Sequence, residues 1–264
     1  MTKRSAKRYL REGTLDAEAF QPDSKVRRLS VHTGGASNWS PMGNGAAPIA
    51  ANGDREQSYM KTIKPKSEGQ AALLSAIDDK NLVLALGPAG TGKTYLAIAK
   101  AVEALEAGKV GRIVLSRPAI EAGESIGFLP GDMEDKLAPY LRPLYDALTD
   151  RISMKRVKAL MAEGLIEIAP VGYMRGRTLN NAFVVIDEAQ NCTYVQLKML
   201  LTRLGWNSTM VVTGDPAQSD LMPGLSGLGD VADKFESLET IAVVRLRDKD
   251  IVRHPLVAQM LSVL

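Results

Sequence analysis

The segment Leu82–Thr94, with the sequence LVLALGPAGTGKT, decides the fold of this chain. Its first five residues are all apolar, and a short apolar run of this kind predicts a buried strand. The strand leads directly into the glycine-rich pattern GxxxxGKT at residues 87–94, after which a helical pattern runs to residue 107. A strand, a loop of this pattern and a helix in succession predict a phosphate-binding loop in a domain of the α/β class.

Each part of this loop has a defined task in holding phosphates. The glycines let backbone N–H groups turn towards phosphate oxygens, and the following helix adds the positive end of its dipole. Lys93 is expected to neutralise the β- and γ-phosphates, and the Thr94 hydroxyl to ligate Mg²⁺. The flanking strand and helix disfavour the alternative, an accidental match in a loop that binds nothing. The predicted nucleotide contacts are Gly87, Pro88, Ala89, Gly90, Thr91, Gly92, Lys93, Thr94 and Tyr95.

A second apolar segment ends in two carboxylates. Residues 183–186 read Phe-Val-Val-Ile and precede Asp187 and Glu188. An aspartate at the end of such a strand is expected to hold Mg²⁺ through water, and the adjacent glutamate to polarise the attacking water. The alternative, an acidic helix N-terminus, explains Glu188 alone and not the pair. Lys93, Asp187 and Glu188 are therefore predicted catalytic residues, with Thr94 and Asp187 as the predicted metal site.

Two glutamines are candidates for further contacts with a nucleotide. Gln218 follows the apolar segment 209–213 in the turn GDPAQ, where its amide is placed to sense the γ-phosphate and orient water. The alternative is a proline-containing turn with a local side-chain bond from Asp215. Gln70 lies on the helix before the phosphate-binding loop, and its amide suits the donor–acceptor edge of adenine. A solvated helix residue is the alternative for Gln70.

Short apolar segments alternate with helical patterns from residue 61 onwards. Because the strands are apolar throughout and separated by helices, we expect a parallel sheet with helices on both faces. The predicted strands are 82–86, 112–116, 165–169, 183–187, 209–213 and 240–246. The predicted helices are 66–79, 93–107, 133–150, 153–163, 193–204 and 224–236, with a last helix after Asp250.

Composition disfavours several classes of protein. The single cysteine, Cys192, rules out a disulfide within the chain and favours a cytoplasmic setting. Two histidines and one cysteine are too few for a Cys/His zinc site. No apolar run approaches the roughly 18 residues of a membrane span, so no membrane partner is expected.

The first 60 residues differ in character from the rest. They carry the whole excess of positive charge in a chain whose formal net charge is +3. Residues 33–54 are rich in Gly, Ser, Asn, Ala and Pro without periodicity, which predicts a disordered tail. Contact of this mildly basic tail with nucleic acid is the alternative to a solvated tail. The predicted organisation is a flexible tail over residues 1–60 and one domain over residues 61–264.

In these motifs the chain resembles the PhoH family, the phosphate-starvation-inducible ATPases related to the core of superfamily-one helicases. The resemblance covers roughly residues 64–260, and the block at residues 116–148 is its most specific part. The matching segments are GPAGTGKT (87–94), SRPAIEAGESIGFLPGDMEDKLAPYLRPLYDAL (116–148), VGYMRGRTL (171–179), FVVIDEAQN (183–191), TGDPAQSDL (213–221) and DIVRHPLV (250–257).

The resemblance implies a RecA-like P-loop ATPase domain that uses ATP and Mg²⁺, with a role in RNA metabolism. It also implies a homo-oligomeric ring, often a hexamer, and single-stranded RNA as a candidate partner. Some relatives carry a PIN nuclease domain before the ATPase. Here about 60 residues precede the ATPase motifs, without a strand–helix pattern or a cluster of acidic metal ligands, so nuclease activity is not expected.

Helicases of this kind use two RecA-like domains and supply an arginine across the cleft, whereas this sequence shows one such domain. A neighbouring subunit is therefore expected to supply the arginine, which independently favours a head-to-tail ring. The resemblance favours Arg177 and Arg253 as the residue that acts in trans. The other candidates are Arg175, Arg245 and Arg247, and each of the five is also explicable as a surface arginine.

The segment 117–150 is too long for a plain connection, and we expect it either to enter a ring pore and meet RNA or to build the subunit interface. The basic cluster Arg151, Lys155, Arg156 and Lys158 follows it. This cluster is compatible with a phosphate-contact patch and with a solvated helix face. Aromatic residues make up only 5% of the chain, so the sequence shows no stacking platform for RNA.

Three functions remain compatible with these residues. The first is an RNA-directed ATPase with helicase-like activity, whose turnover single-stranded RNA would raise. The second is a nucleotide-switched ring assembly with slow hydrolysis that RNA does not affect. The third, a small-molecule kinase, is disfavoured because Asp187, Glu188 and the GDPAQ turn suit the activation of water. The sequence favours the first.

Overall fold

Apolar segments form one parallel sheet in the computed structural model of this protein, which describes residues 63–118, 133–252 and 256. Within that part of the chain the sheet has six strands, in the order β3-β2-β4-β5-β1-β6. Every neighbouring pair is parallel. The strands are β1 Leu82–Leu86, β2 Arg112–Arg117, β3 Ile166–Pro170, β4 Ala182–Ile186, β5 Thr209–Gly214 and β6 Ala242–Arg245.

One helix precedes β1, and helices connect the successive strands except β3 and β4, between which lies a 3-10 turn. The α-helices are α1 Glu68–Asp79, α2 Lys93–Glu106, α3 Met133–Thr149, α4 Met154–Ala162, α5 Tyr194–Leu201 and α6 Leu228–Phe235. Short 3-10 turns occupy Val171–Met174, Ala189–Asn191 and Asp248–Asp250. Side chains cap several of these helices, as where the Ser67 hydroxyl accepts the Gln70 N–H at the start of α1.

Alternate residues of each strand contribute to two hydrophobic cores, one on each face of the sheet. In β1, Val83 and Ala85 pack with α1 to α4, while Leu82, Leu84 and Leu86 pack with α5 and α6. Successive side chains of a strand point to opposite faces, so helices must cover both. Leu84 is completely buried, which stabilises the fold by about 1.5–3 kcal/mol. The predicted α/β class, a parallel sheet with helices on both faces, is confirmed.

The order of the strands determines which loops meet. β5 lies between β1 and β4, and β2 lies on the other side of β4. The carboxyl ends of parallel strands share one edge of the sheet. The loop that follows β1, the carboxylates that follow β4, the end of β5 and Arg117 at the end of β2 therefore lie along the same edge.

The observed strands agree closely with the predicted ones. β1 has the predicted bounds, and β3 begins and ends one residue later than predicted. β6 covers 242–245 and not 240–246, since it lies at the edge of the sheet and pairs only with β1. α6 begins at Leu228 and not at residue 224, because Gly227 donates its N–H to the Cys192 carbonyl and Ser226 bridges to Thr193.

Part of the segment 117–150 belongs to the core. α3 places Leu141, Leu144 and Leu148, all 1% exposed or less, against α2 and the sheet. The described half of this segment therefore packs within the domain. Residues 119–132, which precede α3, lie outside the described residues, as does the predicted tail over residues 1–60. Of the predicted last helix after Asp250, the structure describes Ile251 and Val252, which are not helical, and Leu256. Among the helices described, none is both long and apolar enough to cross a membrane.

The segment after β6 is attached to α1 and to the phosphate-binding loop. The Asp250 carboxylate accepts the N–H groups of Gly69 at 3.2 Å and Arg247 at 2.9 Å. A Cβ atom at Gly69 would lie 2.5 Å from an Asp250 oxygen, so glycine permits this approach. Two residues further, the Val252 N–H donates to the Gly90 carbonyl at 2.9 Å. The two contacts place the start of α1 beside the predicted nucleotide site.

Candidate functional site

The loop between β1 and α2 has the conformation that its glycines allow. Gly87 has φ of 137° and Gly92 has φ of 83°, which other residues adopt only with strain. At Gly87 a Cβ atom would also lie 2.3 Å from the Leu246 carbonyl oxygen. The loop therefore turns tightly from the end of β1 to the first residue of α2, which is Lys93.

Lys93 is folded against its own loop. Its side chain is largely buried, and its Nζ donates to the carbonyls of Gly87 at 2.6 Å and Pro88 at 2.8 Å. Burial lowers the pKa of Lys93, while the nearby carboxylates of Asp215 and Glu188 act to raise it. The Lys93 side chain thus lies against its own loop, beside the cavity that Asp187, Glu188 and Asp215 also border.

Asp187 lies directly against the phosphate-binding helix. It is 3% exposed, and its Oδ1 accepts the hydroxyls of Thr94 at 2.5 Å and Thr213 at 2.7 Å. Thr94 and Asp187 thus present neighbouring oxygen donors at one point. Such donors fit Mg²⁺, which takes one or two protein ligands and completes its shell with phosphate oxygens and water.

Glu188 has a backbone conformation that is unusual for its residue type. Its φ is 52° and its ψ is 42°, the left-handed region, directly after the end of β4. Its carboxylate accepts the Gln190 side-chain N–H at 2.5 Å. Non-glycine residues held in this region carry strain, and they occur often at functional sites. The hydrogen bond to Gln190 gives the carboxylate of Glu188 a partner that Asp187 does not share.

Gln190 connects Glu188 to the loop that follows β5. It is 4% exposed, and its Oε1 accepts the Asp215 N–H at 3.1 Å while its Nε2 binds Glu188. A second link joins Asn191 Nδ2 to the Asp220 carboxylate at 2.8 Å. The two loops that carry Glu188 and Gln218 are therefore fixed to each other by side-chain hydrogen bonds.

Gln218 lines the same cavity as Lys93 and Glu188 and is exposed. Its backbone N–H donates to the Asp215 carbonyl at 3.0 Å, and the Asp215 carboxylate accepts the Ala217 N–H at 3.1 Å. The local side-chain turn considered as the alternative is thus present. The turn places Gln218 at the cavity, and its role as a γ-phosphate sensor stays a prediction.

Arg117 is a site residue that the sequence analysis missed. Its guanidinium nitrogens lie 3.7 Å from an Asp187 oxygen and 3.5 Å from a Glu188 oxygen. β2 pairs with β4 so that Ser116 is opposite Ile186, and the next residue of each strand reaches the same edge. The sequence shows an arginine at the end of an apolar strand. That this arginine lies beside Asp187 and Glu188 can be known only once the order of the strands is known.

Gln70 is buried beside the phosphate-binding loop, so the interpretation as a solvated helix residue is wrong. Its Nε2 donates to the Thr91 carbonyl at 3.0 Å, and its Oε1 accepts the Lys66 N–H at 2.8 Å. A carboxamide has two N–H groups and two lone pairs, so one donor and one acceptor position remain for a ligand. Contact of Gln70 with adenine stays a prediction.

One cavity of about 730 Å³ is lined by Gln70, Lys93, Asp187, Glu188, Gln190 and Gln218, but not by Arg117. Most of the predicted site residues line this cavity. Its lining also includes the segment before α1, Leu96 of α2, Arg151 before α4, and Val252. The predicted site residues along it are Gln70, Ala89, Gly90, Gly92, Lys93, Thr94, Tyr95, Asp187, Glu188 and Gln218. The volume is in the range of ligand sites for molecules of nucleotide size.

The predicted trans-acting arginines stand apart from this cavity as far as the structure describes them. Arg177 is not among the lining residues and forms a two-pronged ion pair with Glu167 of β3, at 2.5 and 2.6 Å. The hydrogen bond to Glu167 raises the pKa of Arg177 above its already high value. Arg245 pairs with Asp233 and Glu236. Arg253 lies outside the described residues.

Comparison with known proteins agrees with this geometry. The sequence profile described as PhoH-like protein matches residues 62–264. The chain belongs to the PhoH family. It is 52% identical over 203 residues to the PhoH-like protein of Bacillus subtilis (strain 168), a match that covers 76% of this chain and 64% of that protein. It is 42% identical over 257 residues to protein PhoH of Escherichia coli (strain K12), covering 96% of this chain and 69% of the relative.

This PhoH family member matches only part of several curated relatives. The match to the PhoH-like protein of Mycobacterium tuberculosis (strain ATCC 25618 / H37Rv), 54% identical, covers 76% of this chain and 58% of that protein. Among solved structures, the large terminase of a thermophilic bacteriophage is 14% identical with a TM-score of 0.48, over 75% of this chain and 50% of the terminase. That likeness is too distant to carry an argument. Family membership and the cavity together identify a nucleotide-binding P-loop fold.

Proposed function

We propose that this chain is a Mg²⁺-dependent ATPase. The observation that carries the proposal is the meeting of Lys93, Thr94, Asp187 and Glu188 along one cavity at the carboxyl edge of the sheet. Phosphoryl transfer to water needs charge stabilisation, positioning and a group that orients the water. In this cavity Lys93 is suited to stabilise charge, Thr94 and Asp187 to position the phosphates through Mg²⁺, and Glu188 to orient the water.

Lys93 and the first turn of α2 are the phosphate-binding parts. The ammonium group and the backbone N–H groups of the helix start bind phosphate oxygens, and the buried setting strengthens this attraction. Thr94 and Asp187 would hold Mg²⁺, which supplies positive charge to the β- and γ-phosphates when bound. Thr213 fixes the orientation of the Asp187 carboxylate.

Glu188 is the residue proposed to orient the attacking water and accept its proton. Gln190 and Arg117 hold its carboxylate from two sides, so it has a defined direction before any ligand binds. Gln218 is proposed to contact the γ-phosphate through its amide. Because Gln190 also accepts the Asp215 N–H, a shift of the Gln218 loop on hydrolysis would change the hydrogen bond that Gln190 donates to Glu188.

RNA-directed, helicase-like activity is the finer part of the proposal. It is supported by the resemblance to the superfamily-one helicase core, and it concerns residues outside the site itself. The alternative is a nucleotide-switched ring assembly without motor activity.

Steady-state ATP hydrolysis with and without single-stranded RNA separates the two, with Glu188→Gln as the blank. A rise in rate with RNA supports the motor, and a slow rate that RNA leaves unchanged favours the switch. Wild-type turnover no faster than the blank would contradict the ATPase proposal.

We further propose that the chain works as a homo-oligomeric ring, with a hexamer as the expected size, and that Arg177 or Arg253 completes a neighbour's site. The support is the single RecA-like set of motifs in the chain, together with a described cavity lining that does not include Arg177. For Arg177 to act in trans, its ion pair with Glu167 has to open.

Mixing subunits tests the trans proposal. Lys93→Ala subunits retain the arginine, and Arg177→Ala subunits retain the nucleotide site. A mixture more active than both separate proteins supports trans action of Arg177, and a parallel mixture tests Arg253→Ala. If neither mixture gains activity, the trans proposal is wrong.

A further inference from the structure

Arg151 does not belong to the exposed basic cluster in which its sequence position places it. Lys155, Arg156 and Lys158 lie on α4, where Lys155 and Arg156 are exposed, whereas Arg151 is only 7% exposed. It lies in the turn between α3 and α4, where its backbone N–H donates to the Leu148 carbonyl at 3.0 Å. A solvated helix face therefore describes the residues on α4 and not Arg151.

Arg151 instead borders the cavity that contains Lys93 and Thr94. Its guanidinium carbon lies 6.0 Å from the centre of the Tyr95 ring, within the range of a cation–π contact. Tyr95 borders the cavity too, one residue after Thr94, and it is 38% exposed. A planar cation and an aromatic ring thus stand side by side next to the phosphate-binding residues.

The position of Arg151 relative to Tyr95 is fixed by the core. α3 packs on α2 through Leu144 and Leu148, which are fully buried, and Tyr95 lies in the first turn of α2. The turn that carries Arg151 follows directly after α3. Close packing of the two helices leaves little freedom to the residues at their ends. Arg151 and Tyr95 are therefore held in fixed positions along the cavity.

The phosphates of a nucleotide already have partners at the other residues of this cavity. Lys93, Thr94 and the start of α2 serve the phosphates, while a guanidinium plane and an aromatic ring are the groups on which nucleobases stack. We propose that Arg151, together with Tyr95, contacts the base of the bound nucleotide and favours purines over pyrimidines. This inference rests on the proposed function, since it assumes that the cavity binds a nucleoside triphosphate.

The test compares three ligands by isothermal titration calorimetry: ATP, CTP and inorganic tripolyphosphate. For Arg151→Ala we expect ATP to bind about five- to 150-fold more weakly, the range of one base–aromatic stack. Tripolyphosphate affinity stays within about twofold, and the preference for ATP over CTP shrinks because a pyrimidine offers less stacking surface. Arg151→Lys keeps the charge without the planar group and is expected to lose most of the same ATP affinity.

Tyr95→Leu is the second variant, because Tyr95 is partly exposed and its replacement leaves the core intact. It is expected to reduce ATP affinity without affecting tripolyphosphate. Arg156→Ala is the matched control, since Arg156 is an exposed arginine of the same cluster that pairs with Glu106. Thermal unfolding of each variant verifies that it is folded.

Three outcomes would overturn the inference. Equal losses for ATP and tripolyphosphate would make Arg151 a phosphate ligand, and equal losses for ATP and CTP would place its contact away from the base. Unchanged ATP affinity in both Arg151→Lys and Tyr95→Leu would show that neither residue contacts the bound nucleotide. If the wild-type protein binds neither ATP nor tripolyphosphate, the proposed function itself fails, and that result is distinct from all three.

Discussion

The guanidinium of Arg117 lies 3.5 Å from the carboxylate of Glu188, and the two residues are brought together only by the pairing of β2 with β4. The same guanidinium lies 3.7 Å from Asp187. Two adjacent carboxylates at the end of a buried strand repel each other, and a cation beside both relieves this repulsion. Arg117 therefore supports the charge arrangement of the site before any metal ion is present.

Replacing Arg117 by alanine should slow hydrolysis more than it weakens nucleotide binding. Without the guanidinium, Glu188 loses one of the two groups that direct its carboxylate. We expect kcat to fall about tenfold, which corresponds to about 1.4 kcal/mol of barrier, with KM changed less than about threefold. Arg156→Ala removes a surface ion pair of similar length, 3.4 Å, and serves as the control. A wild-type kcat in the Arg117 variant would show that the ion pair is incidental.

Lys93→Ala and Glu188→Gln should separate binding from hydrolysis. Lys93 supplies the cation for the phosphates, so its loss should abolish detectable nucleotide binding in a fluorescence titration. Glu188→Gln keeps the volume of the side chain but removes the proton acceptor, so it should bind nucleotide normally and lose about 10²–10⁴-fold in kcat. Retained turnover in the glutamine variant would contradict the role given to Glu188.

Gln190→Glu isolates the hydrogen bond that Gln190 donates to Glu188. The variant keeps an acceptor for the Asp215 N–H but replaces the donor with a second carboxylate facing Glu188. We expect kcat to fall about tenfold or more, with nucleotide affinity nearly unchanged. Single-turnover hydrolysis measures the effect without interference from product release. Hydrolysis at the wild-type rate would mean that the orientation of Glu188 does not depend on Gln190.

The backbone at Glu188 allows a prediction about stability that is independent of activity. Its φ of 52° suits glycine better than any residue with a Cβ atom. Both Glu188→Gly and Glu188→Ala remove the carboxylate, but only glycine relieves the backbone. We expect the glycine variant to be more stable than the alanine variant by about 1 kcal/mol, measured by urea denaturation. Equal stability would argue against strain at this position.

Asp250 should make stability depend on pH in the acid range. Hydrogen bonds from the Ser67 hydroxyl and from the N–H groups of Arg247 and Gly69 hold the pKa of Asp250 below its ordinary value of 3.8. The charged carboxylate therefore stabilises the fold above that value, and this contribution is lost as pH falls through the lower pKa of the folded state. Asp250→Asn should melt about 2–6 °C below the wild type at pH 7. The difference should narrow below about pH 4, and a difference independent of pH would contradict this account.

The fold class and the loop between β1 and α2 were predictable because their signals are local. The sequence of residues 82–94 contains a strand, a loop and a helix start in immediate succession, and β1 has the predicted bounds. The bounds of β6 and α6 were less accurate, because they depend on which strand lies at the edge and on hydrogen bonds between Gly227 and Cys192. Such contacts join residues that are distant in sequence and leave no periodic pattern.

The missed residues of the site share one property. Arg117 and Gln190 reach Glu188 through the order of the strands, and Arg151 reaches the cavity through the packing of α3 on α2. Arg151 shows the problem clearly: in the sequence it is one of four basic residues, and only burial separates it from the other three. The sequence predicts the residues of the loop between β1 and α2, whereas the residues around that loop depend on tertiary structure.

The strand order also has a consequence for how the protein is made. β1 pairs only with β5, through Met210–Gly214, and with β6, through Ala242–Arg245. β2, β3 and β4 pair among themselves and can associate while the chain is still being synthesised. During translation from the N-terminus, β1 therefore has no partner strand until β5, at Thr209–Gly214, has been synthesised. Of the six described strands, β1 therefore remains unpaired on the nascent chain for longest.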